Sequence, residues 1–287
     1  MDIILGGIVN INKPGGMTSH SVVSRVRRIL GIKRVGHTGT LDPDAEGVLP
    51  VCVGKSTKLS DYVMGKEKIY RAVLHLGITT NTQDMSGEVL SKTTPNVSKE
   101  EFEMAVSSFI GEIKQIPPMY SAIKIGGKKL YELARQGVEV ERKERSVTIS
   151  EIDIEEFDGE TATINVHCSK GTYIRTLCHD IGQKLGCGAA MGKLIRTKNG
   201  RFEISESVSL EEFEQNPEKY IVPADEILSE YPKFILDEEQ ERKVLNGMTI
   251  PADLNDGFYR IYSKDGKFLC LSEMADKKYL KMQISFY

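Results

Sequence analysis

The sequence contains no long apolar run and no paired cysteines. Nothing in its 287 residues approaches the roughly 20 consecutive apolar residues that a transmembrane helix needs. The first seven residues lack the basic stretch that opens a signal peptide. The five cysteines form no C-x-x-C pair, and an odd number without a framework is typical of reduced thiols. These absences exclude membrane-spanning and disulfide-stabilised secreted classes, and we expect a cytoplasmic protein with no membrane partner.

Acidic residues are scarce in two segments, although the whole chain has a net charge of −3. Residues 13–71 contain eleven Lys and Arg against five Asp and Glu, and residues 168–201 contain seven against one. Basic segments on a mildly acidic protein favour a localised surface that binds a polyanion. Two solvated basic faces without such a partner are the alternative interpretation.

Hydrophobic periodicity and capping signals predict both helices and strands. Helices are expected from Thr18 or Ser19 to Gly31, from Ser56 to Met64, from the capping box at Ser98 to Gly111, over 174–185, and after a second capping box at Ser209. Strands are expected at 8–11, 48–53, 68–77, 146–155 and 161–168, in a hairpin over 257–272, and at 279–286. Residues 117–145 are basic and glycine-containing with little core, and we interpret them as a mobile insertion. Few β-α-β units occur in this order, which favours the α+β class.

The stretch from Gly36 to Gly47 is the most informative part of the chain. Glycine stands at both ends, and three carboxylates (Asp42, Asp44 and Glu46) fall within five residues. Glycine lets a backbone approach a ligand closely, and loops on a rigid scaffold commonly carry reactive side chains. An ordinary Asp-Pro turn is the alternative, because Asp bonds to its own backbone and Pro fixes the next φ angle.

Three familiar site patterns are incomplete in this sequence. The stretch around Lys55 resembles a phosphate-binding P-loop, but six residues rather than four separate Gly47 from Gly54. A calcium loop beginning at Asp42 needs an acidic twelfth residue, and that position is Val53. No zinc-ligand spacing is present in the group formed by His167, Cys168, Cys178, His179 and Cys187. The sequence therefore gives no support to an NTPase, a calcium site or a zinc site.

Several of the remaining features point to chemistry on a nucleobase in RNA. A carboxylate such as Asp42, held near an arginine, stays ionised and serves as nucleophile or base. Tyr70 lies in a predicted strand, where its ring can stack on a base or accept a proton. Chemistry on one base of a structured RNA requires that the base be flipped into a pocket. His37 provides a flat side chain that can stack against bases displaced in this way.

Five motifs occur in order along the chain. They are GHTGTLDP at 36–43, YR at 70–71, QIPPMYSA at 115–122, GGKKLY at 126–131 and HCSKGTYIRT at 167–176. Together with NKPGG at 12–16 and GRF at 200–202, they resemble the bacterial tRNA pseudouridine-55 synthases. Five ordered motifs over about two thirds of the chain are far more specific than any single one.

The resemblance implies an enzyme that converts uridine 55 in the T-arm of tRNA to pseudouridine, without cofactor or metal. It assigns catalytic roles to Asp42 as the nucleophile, to Tyr70, which stacks on the uracil and serves in proton transfer, and to Arg175, which pairs with Asp42. The implied substrate-binding residues are Lys13 on the Tyr70 side, His37 in the refolded T-loop, Asp84 near the flipped base, Tyr173, and Leu194 in the uracil pocket. Asn81 stands where the family usually has Asp, so no charge-based role is expected there.

The resemblance also implies the architecture. It predicts a mixed, mainly antiparallel central sheet flanked by helices, in a catalytic domain over residues 1–230. Residues 117–145 resemble a thumb that grips the T-arm, and residues 231–287 resemble a small β-rich PUA-like RNA-binding module. The thumb favours a stand-alone enzyme that needs no guide RNA, and we expect a monomer. A tRNA-binding folding factor that unwinds and re-anneals the T-arm, with catalysis incidental, is the alternative function.

Overall fold

A computed structural model of the chain describes residues 6–63, 67–121, 123–275 and 278–287. The helices are α1 (Ser19–Leu30), α2 (Ser60–Val63), α3 (Lys99–Ser107), α4 (Leu130–Ala134), α5 (Ile174–Lys184), α6 (Leu210–Gln215), α7 (Pro217–Tyr220), α8 (Ala224–Ile227) and α9 (Glu238–Leu245). Two 3₁₀ turns lie at Gly54–Leu59 and Ile204–Glu206. Among the described residues, no helix has both the length and the apolar composition to cross a membrane.

The strands alternate with these helices along the chain. They are β1 (Gly7–Lys13), β2 (Val35–His37), β3 (Glu46–Val53), β4 (Glu67–Leu76), β5 (Ile78–Thr80), β6 (Val89–Lys92), β7 (Gly111–Gln115), β8 (Lys124–Ile125), β9 (Lys128–Lys129), β10 (Arg145–Phe157), β11 (Thr161–Ser169), β12 (Ala189–Asn199), β13 (Phe202–Glu203), β14 (Val222–Pro223), β15 (Lys233–Ile235), β16 (Ile250–Pro251), β17 (Gly257–Tyr262), β18 (Phe268–Ala275) and β19 (Tyr279–Ser285). The elements divide into a first unit (Met1–Pro43, Leu49–Met64 and Ser205–Tyr287) and a second unit (Asp44–Val48 and Gly65–Ile204).

Antiparallel pairing dominates the sheet of the second unit. Its strands lie in the order β12-β4-β11-β10-β7, and every neighbouring pair in this order is antiparallel. β4 has the predicted alternation, because Tyr70, Ala72 and Leu74 are buried while the residues between them are half-buried. Helix α5 packs against β12 and β4, and a Cβ at Gly182 would collide with the backbone of Ala189. The expected α+β class with a mainly antiparallel sheet and flanking helices is thus confirmed.

The first unit contains the predicted helix after the first strand and a separate β sheet. α1 is capped by the Thr18 hydroxyl, which accepts a hydrogen bond from the Ser21 N–H, and it ends at Gly31 with a φ of 65°. Five further strands lie in the order β15-β17-β18-β19-β16. They enclose a core that includes Ile250 and Leu280, which are 0% and 2% exposed. The β-rich C-terminal part is confirmed, whereas the proposed boundary at residue 230 stays a prediction.

Some predicted elements differ from the structure. The helix after Ser98 ends at Ser107 rather than at Gly111, because Gly111 begins β7 and pairs with β10. The predicted helix from Ser56 is mainly the 3₁₀ turn Gly54–Leu59, followed by the short α2, and its expected end at Met64 lies outside the described residues. The insertion 117–145 has more core than expected, because it contains the β8–β9 hairpin and α4, whose Leu130 is fully buried.

The sequence patterns do not predict β12, although this strand has two neighbours in the sheet. It is antiparallel to β4 and parallel to the first residues of β3, where Arg196 pairs with Gly47. Gly47 has a φ of 99°, and a Cβ at this position would collide with the Arg196 carbonyl group. Gly47 is therefore required by the close approach of two backbones. The opening that we expected there for a ligand is occupied by β12.

Replacing this glycine tests the close approach. We expect Gly47→Ala to lower the free energy of unfolding by about 2–4 kcal/mol, because the side chain is strained at positive φ and displaces β12. Urea denaturation of the full chain measures the change. Gly36→Ala is the matched control, since a Cβ there meets only Thr57 Cγ2 at 3.7 Å. Equal stability of the two variants would contradict a close approach between the backbones of Gly47 and β12.

Candidate active site

The backbone before Asp42 is fixed by a buried serine. Ser19, at the start of α1, is 2% exposed. Its hydroxyl accepts a hydrogen bond from the Leu41 N–H at 2.9 Å and donates one to the Leu41 carbonyl at 3.0 Å. Because both polar groups of Leu41 are engaged, the residue directly before the half-buried Asp42 has little freedom to move.

The backbone after Asp42 is fixed by a buried lysine. Lys13, the last residue of β1, is 0% exposed. Its Nζ donates hydrogen bonds to the carbonyl oxygens of Pro14 (2.8 Å), Met17 (2.6 Å) and Pro43 (2.8 Å). A buried ammonium needs such partners, since an unpaired charge inside a protein is costly. The expected role of Lys13 on the Tyr70 side stays a prediction, and its described hydrogen bonds hold the Asp42 loop.

The two other carboxylates of this loop have different surroundings. Asp44 is exposed, and Glu46 Oε2 lies 3.2 Å from Lys193 Nζ. His37 is in β2, opposite Val51 of β3, and is half-buried. Asp42 is half-buried, and the residues on both sides of it are anchored.

Tyr70 and Leu194 lie close together in the sheet of the second unit. Tyr70 is 8% exposed and pairs with Val166 of β11 and Arg196 of β12. Leu194 is 7% exposed and pairs with Ala72, two residues after Tyr70 on β4. Diagonal neighbours on one sheet face are about 7–8 Å apart, which is within reach of an aromatic ring. The structure therefore brings the predicted stacking tyrosine and the predicted pocket leucine to one region of the sheet.

Arg175 is held in place by three contacts within the second unit. It is the second residue of α5 and is 5% exposed. Nη1 donates to the Thr82 carbonyl at 3.1 Å, and Nη2 donates to the Tyr120 carbonyl at 2.8 Å. Nη1 also lies 3.5 Å from Asp84 Oδ2. The guanidinium thus has a fixed orientation and a carboxylate neighbour in Asp84.

Asp84 is the centre of a tightly bonded loop. Its Oδ1 accepts hydrogen bonds from the Thr82 hydroxyl (2.7 Å), the Ser86 hydroxyl (2.6 Å) and the Ser86 N–H (3.1 Å). The preceding residue, Gln83, has a φ of 65°, which an L side chain rarely adopts. The Gln83 Oε1 accepts a bond from the Thr176 hydroxyl at 3.0 Å, directly beside Arg175. Strained backbone of this kind is concentrated at functional sites.

Tyr173 and Asn81 are also fixed by side chain to backbone bonds. The buried Gln115 side chain accepts from the Tyr173 N–H at 3.0 Å and donates to the Tyr173 carbonyl at 3.1 Å. Asn81 Oδ1 accepts from the Glu88 N–H at 3.0 Å, which gives this amide a structural role without charge.

Sequence reasoning did not single out Ser19, Gln115 or Gln83. Their signal is weak, because a polar residue inside a motif does not reveal which distant backbone it binds.

The cysteines are mostly buried thiols. Cys52, Cys168, Cys178 and Cys270 are buried, and Cys187 is half-buried. Burial raises the pKa of Cys168 to about 11 and that of Cys52 to about 12. These thiols are therefore protonated at neutral pH, which is typical of structural cysteine rather than of a reactive or metal-binding thiolate.

The fold is shared with proteins in solved structures. The chain aligns with a TM-score of 0.73 to a protein in the structure of an H/ACA RNP bound to a substrate RNA containing 2′-deoxyuridine, at 24% identity. It aligns with a TM-score of 0.72 to a protein in a Cbf5–Nop10–Gar1 complex, at 26% identity. Each alignment covers 99% of this chain and 86% of the other. The likeness establishes the common architecture.

Sequence comparison defines the class of protein as pseudouridylate synthase. Residues 27–174 match the N-terminal domain model of the TruB family pseudouridylate synthases, and residues 175–230 match the tRNA pseudouridylate synthase B C-terminal domain. A tRNA pseudouridine synthase B of Clostridium kluyveri is 46% identical, over 98% of this chain and 99% of its own. One from Alkaliphilus oremlandii is 54% identical, over 86% of this chain and 83% of its own. The chain belongs to the TruB family, and it is an enzyme.

The anchoring role of Lys13 can be tested by removing its charge. We expect Lys13→Met to lower the free energy of unfolding by about 2–4 kcal/mol, because three carbonyl groups lose their buried partner. Urea denaturation gives the difference, with the exposed Lys33→Met as the control. A Lys13→Met protein as stable as the control would show that the ammonium does not hold the loop.

Helix α5 also carries a carboxyl group whose burial makes stability depend on pH. Burial raises the pKa of Asp180 from 3.8 to about 6. Between these values the folded protein binds the proton that the unfolded chain has lost, so stability falls as pH rises from about 4 to about 6. We expect Asp180→Asn to be about 1 kcal/mol more stable than the wild type at pH 7 and equal to it at pH 3, since solvent screens a half-buried carboxylate.

Urea denaturation at several pH values measures this difference. Asp253→Asn, at an exposed position, is the control. A gap between Asp180→Asn and the wild type that is constant from pH 3 to pH 7 would argue against the burial of this carboxyl group.

Proposed function

We propose that this enzyme isomerises uridine 55 in the T-arm of tRNA to pseudouridine. Full-length relatives named tRNA pseudouridine synthase B support tRNA as the substrate. The observation that carries the proposal is the anchored loop, in which Lys13 and Ser19 fix the residues on both sides of Asp42. A nucleophile must be held within a few tenths of an ångström of its productive position, and this anchoring fixes the backbone on both sides of Asp42.

We assign Asp42, Tyr70 and Arg175 to the same reaction. The resemblance of the GHTGTLDP, YR and GTYIRT segments to one family supports a shared role for these three residues. Arg175 lies in the first turn of α5, where the helix dipole disfavours a cation. The Asp84 carboxylate, whose Oδ2 lies 3.5 Å from Arg175 Nη1, offsets that cost.

The reaction is an internal transfer that leaves the atomic composition unchanged. The Asp42 carboxylate either attacks C1′ of the flipped uridine or removes the 2′ proton to give a glycal. In both routes the bond from C1′ to N1 breaks, and the released uracil turns within the pocket. A bond from C1′ to C5 then forms, while the ester bond to Asp42 breaks in the first route or Asp42 returns the proton to C2′ in the second. The C5 proton leaves, and N1 takes up a proton. Neither route needs a cofactor or a metal.

The remaining residues bind the substrate in this proposal. The Tyr70 ring stacks on the uracil, and its hydroxyl accepts the C5 proton. Leu194 and Tyr173 line the uracil pocket, and Asp84 orients the flipped base. His37 stacks in the opened T-loop.

The insertion 117–145 is the proposed grip on the T-arm. Within it, Lys129 Nζ and Arg135 Cζ lie 5.4 Å and 5.6 Å from the centroid of the Tyr131 ring. Aromatic rings flanked by cations suit single-stranded and loop RNA, because bases stack while phosphates are neutralised. An enzyme with such an insertion needs no partner to hold the T-arm. This supports a monomeric enzyme that acts without guide RNA.

The central test removes the Asp42 charge while keeping its shape. We expect Asp42→Asn to reduce pseudouridine formation at least about 1,000-fold, because an amide is neither nucleophile nor base. Its affinity for an unmodified tRNA transcript should remain within about threefold of wild type. Asp44→Asn, two residues further along, is the matched control and should retain turnover.

The products are mapped by position in the transcript. Pseudouridine at position 55, and its loss when uridine 55 is replaced by cytidine, would support the proposed site. Near-normal turnover by Asp42→Asn, or product at a different position only, would refute it. Normal tRNA maturation in cells that carry Asp42→Asn would instead favour the folding-factor function.

A further inference from the structure

Five cationic side chains are buried in the described part of the chain. They are Lys13, Lys68, Arg175, Arg196 and Arg260, which are between 0% and 9% exposed. A buried cation normally has hydrogen-bond or ion-pair partners, because burial without them is costly. The partners of these five groups therefore show what each cation does.

Four of the five bind main-chain carbonyl oxygens. Lys13 binds three, and Arg175 binds those of Thr82 and Tyr120. Arg196 Nε donates to the Val48 carbonyl at 2.8 Å. Arg260 donates to the carbonyl groups of three residues, at 2.7 Å, 3.0 Å and 3.4 Å. These four cations hold loops and strands together.

Lys68 differs from the other four. It is 7% exposed, and within residues 6–63, 67–121, 123–275 and 278–287 its ammonium makes neither a hydrogen bond nor an ion pair. Its register neighbours are Asn199 on β12 and Cys168 on β11. Burial raises the pKa of the Cys168 thiol to about 11, so this neighbour is uncharged at neutral pH. Among the described residues, Lys68 therefore has no counter-charge.

Like charges surround Lys68 rather than opposite ones. Burial, and then the charge of Arg196, lower the pKa of Lys68, and the exposed Lys170 acts in the same direction. The adjacent Glu67 does not compensate, since it alternates to the other face of β4, where its Oε1 lies 3.9 Å from His167 Nδ1. Lys68, Arg196 and Lys170 thus act on one another in the second unit, and a group of cations is the composition of an anion-binding site.

We propose that Lys68, supported by Lys170 and Arg196, binds a phosphodiester of the substrate RNA next to the flipped uridine. The proposal rests on the proposed function, because Tyr70 is the residue assigned there to the uracil. Lys68 and Tyr70 are alternate residues on the same buried face of β4, about 6.6 Å apart along the strand. One nucleotide spans that separation, so a base on Tyr70 brings its own or the adjoining phosphate to Lys68. Arg196 is fully buried and contributes its charge, whereas Lys170 is exposed and can contact the phosphate directly.

The first test measures tRNA binding as a function of salt. We expect Lys68→Met to weaken binding about tenfold, because one charge-assisted contact is lost. The slope of log affinity against log salt concentration should fall by about 0.7–0.9, the contribution of one phosphate contact. Lys68→Arg keeps the charge and should retain both affinity and slope. Lys193→Met is the matched control, because Lys193 lies in the same sheet but is paired with Glu46.

Thermal unfolding of the free protein separates binding from structure. A cation without a partner does not stabilise the fold, so Lys68→Met should unfold at the wild-type temperature or above it. A lower unfolding temperature together with proportionally weaker binding at all salt concentrations would indicate a structural lysine and overturn the proposal. Failure of Lys68→Met to fold would overturn it in the same way.

The second test identifies the phosphate. T-arm stem–loops carrying one uncharged methylphosphonate, placed in turn on either side of the target uridine, are bound to wild type and to Lys68→Met. At one position the wild type should lose about tenfold in affinity while Lys68→Met loses nothing further. Equal losses in both proteins at every position would overturn the proposal.

The two proposals can fail separately. Coupling between Lys68 and one phosphate, in an enzyme that makes no pseudouridine at position 55, would leave the phosphate site standing and refute the function. Pseudouridine formation at position 55 without coupling between Lys68 and any phosphate would support the function and refute the phosphate site.

Discussion

The position of Asp42 depends on one buried ammonium group. Lys13 ends β1, Pro43 stands a few residues before β3, and β1 and β3 are neighbours in the sheet. By binding the carbonyl groups of Pro14, Met17 and Pro43, Lys13 ties together the loops at two adjacent strands. Each carbonyl would otherwise need water or another donor in a buried position. These bonds fix the backbone that carries Asp42.

The second unit uses β12 to organise several predicted site residues at once. β12 pairs with β4, so that Leu194 and Tyr70 lie near each other on adjacent strands. The same strand exchanges backbone hydrogen bonds with the Asp84 loop, because the Met191 N–H donates to the Gln83 carbonyl at 3.0 Å and the Met191 carbonyl accepts from the Met85 N–H at 2.9 Å. The positive φ of Gln83 is maintained by these two bonds and by the Thr176 hydroxyl. The position of Asp84 beside Arg175 is therefore a consequence of strand pairing.

Local signals in the sequence predict much of this structure, and long-range pairing explains most of the rest. The capping boxes at Ser98 and Ser209, and the alternation in β4, give correct elements because their cause lies within a few residues. β12 escapes prediction because register shifts interrupt its alternation between Met191 and Leu194 and again after Arg196. The anchors of Asp42 escape for a related reason. Ser19 and Lys13 are remote from Asp42 in sequence, and only the fold brings them to its backbone.

The motifs identify candidate residues more reliably than they explain them. Gly47 falls inside a conspicuous glycine-bounded loop, where an open approach for RNA is a reasonable interpretation. In the structure, the space that its missing side chain leaves is filled by the Arg196 backbone. The catalytic roles of Asp42, Tyr70 and Arg175 still rest on the resemblance and on the proposal, whereas the bonds that orient Arg175 are visible in the second unit.

The contrast between Lys68 and three of the other buried cations follows from where each one lies in the fold. Lys13 lies at a strand end, Arg175 begins a helix, and Arg260 reaches the turns around Ser229, so unpaired carbonyl oxygens are within their reach. β4 has strands on both sides, and its backbone and that of its neighbours are engaged in the two ladders. A lysine on the face of such a strand finds few free carbonyl oxygens. Within the described residues Lys68 has no such acceptor, and the proposed phosphate contact rests on this observation.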